Sequence, residues 1–313
     1  AGGAWAKDIA AMADIPINMV FSKGSLLVTN KRITQRVINR LRHPTDGDIL
    51  VPGGVVSILG TTSERIENLD NIHPTINEVD HIIEQGVQMI PALKNSRYIR
   101  AYAGVRPLVS LGEDKDDRNV SRGFTLIDHE NDGVDNFITI TGGKLSTYRL
   151  MAEKTSDIVC RKHHLTAECK TKTTALPSSI DGEWSEPGVI VTDSVSSGSS
   201  HESYLCECDM VPAKAIDTIV DSIKKNGGHP DLEAIALRTR VGKGPCQGTF
   251  CSVRLLSYLY NQGNITDTDG INDLKGFLNE RWKGEHSLLW DQTLVQSSLK
   301  EMIHCGLFSL ELT

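Results

Sequence analysis

The chain has 313 residues with a hydrophobic fraction of 39%, enough for two or three domains with real cores. Its net charge of −7 and its aromatic content of 5% argue against nucleic acid as a partner, because phosphate neutralisation and base stacking need the missing residue types. No apolar run approaches the length of a membrane span, and no signal peptide is recognised, so we expect membrane association only through partners.

The first half of the chain alternates between strand-like and helix-like patterns. Apolar and β-branched residues predict strands at residues 19–29, 55–60, 98–105 and 137–141. Residues 75–91 form a predicted helix, because Thr75 and Glu78 make a capping box ahead of an apolar face. A second long helix is predicted at residues 145–164, with a buried side made of Tyr148, Met151, Ala152, Thr155, Ile158 and Val159.

The second half has a different composition. Serine, glycine, proline and acidic residues dominate the stretch before residue 200, which predicts a linker at residues 166–200 between an α/β region at 1–165 and a cysteine-containing region at 201–262. Short helices are expected at residues 212–226, 230–238 and 248–260, and a helical tail at 263–313.

Four of the seven cysteines form two close pairs, Cys206-Glu-Cys208 and Cys246-Gln-Gly-Thr-Phe-Cys251. Four thiolates are the ligand set of a [2Fe–2S] cluster or of a structural zinc ion. The Cys-x-Cys spacing is tight for zinc, so the pattern favours the cluster and leaves zinc as the alternative. The remaining cysteines, Cys160, Cys169 and Cys305, share no short spacing, which suits reduced thiols in a cytosol.

Basic residues lie close in sequence to the second cysteine pair. They are Arg238, Arg240 and Lys243, and they could offset the negative charge of a cluster.

A double glycine, Gly142-Gly143, separates a predicted strand from the helix that begins at Leu145, with Lys144 between them. Glycines allow close backbone approach, and a helix N-terminus with a lysine favours negative charge. Such a turn could stabilise a reduced flavin, or it could be a simple turn without a ligand.

Two arginines, Arg106 and Arg122, could together bind a carboxylate or a phosphate. The alternative is that each is a solvated surface residue.

Several longer motifs carry a family resemblance. They are Phe21-Ser-Lys-Gly-Ser-Leu-Leu27, Gly60-Thr-Thr-Ser63, Arg100-Ala-Tyr-Ala-Gly-Val-Arg-Pro-Leu108 and Ile138-Thr-Ile-Thr-Gly-Gly-Lys-Leu-Ser-Thr-Tyr-Arg149. With the cysteine pairs and Phe277-Leu-Asn-Glu-Arg-Trp-Lys-Gly284, they resemble the FAD-dependent glycerol-3-phosphate dehydrogenases. Within that family the chain is most similar to the subunit of the anaerobic enzyme that carries a C-terminal [2Fe–2S] domain. The resemblance covers nearly the whole chain outside residues 177–200.

The resemblance implies an α/β (α+β) fold: the C-terminal part of an FAD-dependent oxidoreductase (DAO-like) domain with a mixed sheet, then a small helical domain like bacterioferritin-associated ferredoxin. It implies that Arg106 and Lys144 are catalytic, that Arg106 and Arg122 bind glycerol 3-phosphate, and that Gly142, Gly143, Lys144 and Leu145 contact FAD. Cys206, Cys208, Cys246 and Cys251 would ligate the [2Fe–2S] cluster.

The implied reaction oxidises glycerol 3-phosphate to dihydroxyacetone phosphate and passes electrons through FAD and the cluster to a quinone. The implied partners are a membrane-anchoring iron–sulfur subunit and a second soluble subunit, which would place the protein in the cytoplasm at the inner face of the cell membrane. Because the family's Gly-x-Gly-x-x-Gly turn for FAD is missing here, we expect an inactive fragment. The alternative function is a non-catalytic iron–sulfur or zinc module for electron transfer or assembly.

Overall fold

The computed structural model describes residues 2–43, 45–109, 123–175, 203–266 and 269–312. The chain divides into two compact units. The first contains Ala1–Ser25, Thr62–His73 and Ala103–Gly182, and the second contains Leu26–Thr61, Pro74–Tyr102 and Glu183–Thr313. Within the described residues, no helix is both long enough and apolar enough to cross a lipid bilayer.

Strands and helices alternate through the described residues. The strands are β1 Met19–Thr29, β2 Ile38–Asn39, β3 Ile49–Gly53, β4 Val56–Gly60, β5 Glu64–Ile66, β6 Tyr98–Val109, β7 Phe124–Asp128, β8 Ile138–Gly142, β9 Tyr204–Cys206 and β10 Val211–Pro212. The α-helices are α1 Ala6–Ala11, α2 Ile76–Met89, α3 Tyr148–Lys162, α4 Ala213–Lys225, α5 Leu232–Arg238, α6 Cys251–Asn261, α7 Asp269–Lys283 and α8 Asp291–Glu301. The main predicted helices and strands are therefore present.

An antiparallel sheet organises the N-terminal part of the second unit. β4 pairs with the second half of β1 on one side and with β3 on the other, and β2 follows β3 as the edge strand. The helix α2 covers this sheet with Val79 and Ile82, both fully buried. Its start is fixed as predicted, because the Thr75 hydroxyl accepts from the Glu78 N–H (3.2 Å) and the Glu78 carboxylate accepts from the Thr75 N–H (2.9 Å).

The C-terminal tail is bonded to β6 within the same unit. The Ala101 N–H donates to the carbonyl of Gly284 (2.7 Å), and the Thr293 hydroxyl donates to the carbonyl of Tyr98 (2.7 Å). An ion pair between Arg100 and Glu280 (2.8 Å) lies alongside these bonds. The helices α7 and α8 are thus held by main-chain as well as side-chain contacts.

The cysteine-containing part of the second unit is a helical bundle around its own core. The short β9–β10 pair, the helices α4 to α7 and the end of the chain contribute the buried residues Leu205, Cys206, Val211, Ile216, Ile219, Val220, Ile223, Leu232, Ile235, Ala236, Val241, Cys251, Leu255, Leu256, Leu259, Ile265, Leu274, Phe277, Leu278 and Leu310. Two of the four paired cysteines are therefore core residues.

The first unit contains the antiparallel hairpin β7–β8, whose register joins Phe124 to Gly142. The helix α3 follows the hairpin, and Lys162 at its end forms ion pairs with Asp128 (3.0 Å) and Glu130 (2.6 Å). The prediction of a buried side for α3 is wrong: no residue of this helix is buried, and Tyr148 is 64% exposed. Its apolar pattern is present, but no element in the described residues encloses it.

Candidate functional site

The four paired cysteines come together in the second unit from two separate segments. Cys206 ends β9 and lies opposite Val211 of β10, while Cys208 lies in the turn between these two strands. Cys246 lies in the loop before α6, and Cys251 is the first residue of that helix. Cys206 and Cys251 are buried, and Cys208 and Cys246 are half-buried. The site is therefore closed on one side and open on the other.

The thiols contact one another in a chain. Cys206 is hydrogen-bonded to Cys251, Cys251 to Cys246, and Cys246 to Cys208. None of the four is in a disulfide. The hydrogen bond from Cys251, with further bonds from the backbone N–H groups of Asp209 and Gly242, lowers the pKa of Cys206 to about 7. The bonds from Cys208 and Cys251 likewise lower the pKa of Cys246. The same hydrogen bonds raise the pKa values of Cys208 and Cys251, so two thiols have thiolate character and two keep their protons.

The arrangement has the donor chemistry of a metal centre but not a preformed coordination shell. In the described residues, no three His, Cys, Asp or Glu side chains are disposed as ligands around one point. The chemistry of the site nevertheless matches a cluster site. Two segments supply four sulfur ligands, and backbone N–H groups lie beside them. Whether the occupant is a [2Fe–2S] cluster or zinc stays a prediction.

Positive charge surrounds the cysteines. Arg254, one turn into α6, forms an ion pair with Glu207, and its pKa is raised first by that bond and also by the charges of Cys251 and Cys206. Lys300 is buried, which lowers its pKa, and lies 2.6 Å from the carboxylate of Glu285; the charges of Glu285 and, less, of Cys246 act against that lowering of the pKa. These cations can offset the negative charge of four thiolates.

Arg254 and Lys300 are each paired with a carboxylate, and the cations that the sequence selects for this purpose also have partners. Arg238 is exposed and donates to the carbonyl of Ala234 (2.9 Å), and Lys243 donates to the carbonyl of Thr239 (3.0 Å). These bonds to carbonyls leave the charges of Arg238 and Lys243 intact. Arg240 instead pairs with the buried carboxylate of Asp209 (3.0 Å).

Sequence reasoning misses Arg254 and Lys300. A signal exists for Arg254, which follows Cys251 by three residues on a helix, but none exists for Lys300.

The double glycine lies where the sequence predicts, at the turn between β8 and a helix. Gly142 (φ 77°) and Gly143 (φ 79°) both have left-handed backbones, and a one-turn 3-10 helix at Leu145–Thr147 leads into α3. Lys144 and Leu145 are exposed, so a ligand can approach the turn. A side chain at Gly143 would also meet Met151 of α3, so local packing requires this glycine even without a ligand.

Arg106 lies on β6 in the first unit and is half-buried. Its guanidinium donates to the carbonyl of Thr62 at 3.3 and 3.4 Å. The Thr62 hydroxyl in turn accepts from the N–H of Ser25 (2.9 Å), and the nearby Lys23, 6% exposed, forms an ion pair with Glu64 (2.8 Å). Residues from three of the sequence motifs therefore meet around one polar cluster. The buried Lys23 is a site candidate that sequence reasoning does not select.

Arg122, the second predicted substrate arginine, lies outside the described residues. Its predicted pairing with Arg106 stays a prediction. The same holds for the domain boundaries drawn from the sequence.

Comparison with known proteins adds the family. The family described as FAD dependent oxidoreductase matches residues 1–152. One of the subunits of the anaerobic glycerol-3-phosphate dehydrogenase of Escherichia coli strain K12 is 42% identical over 99% of this chain. Residues 1–152 thus match the FAD dependent oxidoreductase family, and nearly the whole chain is similar to this subunit.

A second relative is similar over the same extent. The corresponding subunit of the anaerobic glycerol-3-phosphate dehydrogenase of Haemophilus influenzae is 39% identical over 99% of the chain. The chain spans 60% of the length of the Escherichia coli relative and 58% of the Haemophilus influenzae relative.

One solved structure supports the fold. The glycerol-3-phosphate dehydrogenase from Bacillus halodurans complexed with FAD aligns with a TM-score of 0.54 over 93% of this chain and 62% of that chain, at 17% identity. The predicted mixed α/β fold of an FAD-dependent oxidoreductase is thereby confirmed.

Proposed function

We propose that the full-length protein oxidises sn-glycerol 3-phosphate to dihydroxyacetone phosphate and delivers the electrons to a quinone. The observation that carries the proposal is the convergence of Cys206, Cys208, Cys246 and Cys251 in a chain similar over 99% of its length to anaerobic glycerol-3-phosphate dehydrogenase subunits. FAD, when bound, supplies hydride acceptance, and a [2Fe–2S] cluster supplies one-electron transfer.

We favour a cluster over zinc at this site because the Cys206–Cys208 spacing is tight for zinc. Backbone N–H groups also donate to the sulfurs of Cys206 and Cys246. Hydrogen bonds to sulfur and nearby charge set the potential of an iron–sulfur centre. The half-buried Cys208 and Cys246 would form the side from which electrons enter or leave.

The chain's own residues would bind and orient the substrate. Arg106, and Arg122 with it, would hold the anionic substrate by charge-assisted hydrogen bonds. Lys144 and the turn at Gly142, Gly143 and Leu145 would place positive charge beside the flavin. The ion pair between buried Lys23 and exposed Glu64 lies close to Arg106 through Thr62 and would fix that side of the pocket.

The proposed partners follow from the same assignment. A membrane-anchoring iron–sulfur subunit, together with a second soluble subunit, would take the electrons to quinone, which would place the complex in the cytoplasm at the inner face of the cell membrane. This is the arrangement expected for glycerol metabolism coupled to anaerobic respiration.

The test is anaerobic titration of the full-length protein with glycerol 3-phosphate. We expect the flavin absorbance to bleach and the EPR signal of a reduced [2Fe–2S] cluster to develop. In a Cys246→Ser variant the bleaching should remain while the EPR signal is lost. Stoichiometric zinc without iron in the unchanged protein would instead support the non-catalytic module.

A further inference from the structure

Residues 31–43 form a basic segment at the edge of the sheet in the second unit, referred to below as the basic edge segment. It contains five lysine or arginine residues and no acidic residue, in a chain whose net charge is −7. β2 lies inside it and is the outermost strand beyond β3. Such a concentration of positive charge in an acidic chain favours binding of an anionic partner.

Two of these cations are neutralised and three are not, within the part of the chain that the structure describes. Arg40 and Arg42 share the carboxylate of Asp48, at 3.6 and 2.8 Å. Lys31, Arg32 and Arg36 form no ion pair with any described residue. Arg32 is held in place by hydrogen bonds to the carbonyls of Thr34 and Gly54, both at 3.2 Å, which leave its charge intact. Three exposed positive charges therefore face solvent from one short segment.

Apolar side chains accompany these charges at the surface. Along the edge strand the side chains alternate, so that Ile38 packs on the core while its neighbours point outward. Val37 is 56% exposed and Leu41 is 101% exposed. Ile33 and Ile38 pack against the core, and Val37 and Leu41 do not.

Charged edge strands also protect a sheet from pairing with another sheet. That purpose does not explain a fully exposed leucine, which promotes association instead of preventing it. Basic residues interleaved with exposed aliphatic side chains are the pattern of a surface that lies on an anionic bilayer. The cations bind the lipid phosphates there, and the aliphatic groups enter the boundary of the acyl chains.

We propose that the basic edge segment binds directly to the surface of an anionic membrane. Lys31, Arg32 and Arg36 would contact the headgroup phosphates, while Val37 and Leu41 would insert below them. The inference does not depend on the proposed reaction, because it uses neither FAD nor the cysteine site. It gives the chain a lipid contact of its own in addition to any partner protein.

The experiment is flotation of the whole chain with vesicles made of phosphatidylglycerol and phosphatidylcholine in equal parts. We expect binding to these vesicles, weakening as salt is added, and none to vesicles of phosphatidylcholine alone. The triple variant Lys31→Gln, Arg32→Gln, Arg36→Gln should bind roughly a hundredfold more weakly. Leu41→Ser should weaken binding by roughly tenfold.

A matched control removes the same charge from the same unit. Lys94, Lys214 and Lys225 are exposed, and the triple variant Lys94→Gln, Lys214→Gln, Lys225→Gln should bind like the unchanged chain. Circular dichroism verifies the fold of every variant. The proposal is wrong if the unchanged chain does not bind anionic vesicles or binds neutral vesicles equally well. It is also wrong if both triple variants lose the same amount of vesicle binding.

Discussion

The cysteine bundle and the turn leading into α3 both carry motifs that the sequence singled out, yet they differ in how they are packed. Cys206 and Cys251 lie inside a core with the fully buried Leu255 and Leu259. The turn is exposed at Lys144 and Leu145, and α3 buries no residue. The comparison teaches that packing in a core fixes where the cysteines lie, whereas the exposed turn is not held by core packing.

The largest expected effect is in the cysteine bundle. Cys251→Ser should abolish retention of the cluster after anaerobic reconstitution, because it removes one of the four ligands from the closed side of the site. Iron and sulfide analysis with visible absorption measures the result. Cys305→Ser is the matched control, since Cys305 is half-buried in the same unit and is not one of the paired cysteines. Equal loss in both variants would contradict the assignment of ligands.

A truncation of leucine compares the packing of the two regions. Leu255→Ala should lower the free energy of unfolding by about 2–5 kcal/mol, because the side chain is fully buried and its removal leaves a cavity. Leu150→Ala in α3 should cost about 0.5 kcal/mol or less, because Leu150 is 38% exposed. Urea denaturation measures both values. A large cost at Leu150 would show that α3 is packed after all.

Ion pairs provide a second comparison of the same kind. Arg240→Ala should cost about 3 kcal/mol, because it leaves the carboxylate of Asp209, whose side chain is 3% exposed, buried without its partner. The pair between Arg149 and Glu153 is on the surface of α3, and Arg149→Ala should cost about 0.3–0.5 kcal/mol. Similar costs for the two substitutions, read from urea midpoints, would remove the contrast.

The smallest expected effect depends on pH. Burial lowers the pKa of His304 from 6.5, so the unfolded chain binds this proton more readily than the folded chain does. The stability due to neutral His304 is complete above pH 6.5 and is lost as the pH falls through the lower folded value. His304→Gln should therefore flatten the decline in unfolding free energy between about pH 8 and pH 5. An unchanged slope would contradict this assignment.

Local signals predicted much of the fold. The Thr75 and Glu78 capping box fixed the start of α2, and apolar and β-branched residues predicted β1 with its observed bounds. The β9–β10 pair was not predicted, because strands of three and two residues carry too little pattern. Periodicity predicted α3 correctly as a helix but not its burial, since a pattern describes one face and not what lies opposite it.

The candidate site, like the fold, was predicted only in part from the sequence. The cysteine spacing predicted which thiols meet, because paired ligands are close in sequence. Lys300 could not be found from sequence, since the packing of the C-terminal tail is what places it near Cys246. The contact between Arg106 and Thr62 joins residues that are 44 positions apart and is likewise set by tertiary structure.

The bonds between β6 and the tail have a consequence for the motions of the chain. The amide hydrogen of Ala101 is held by the carbonyl of Gly284, and the Tyr98 carbonyl by Thr293. A proton at Ala101 can therefore exchange with solvent only when the end of the chain detaches from the sheet. The rate of its deuterium uptake therefore measures how often the tail, which includes Lys300, opens.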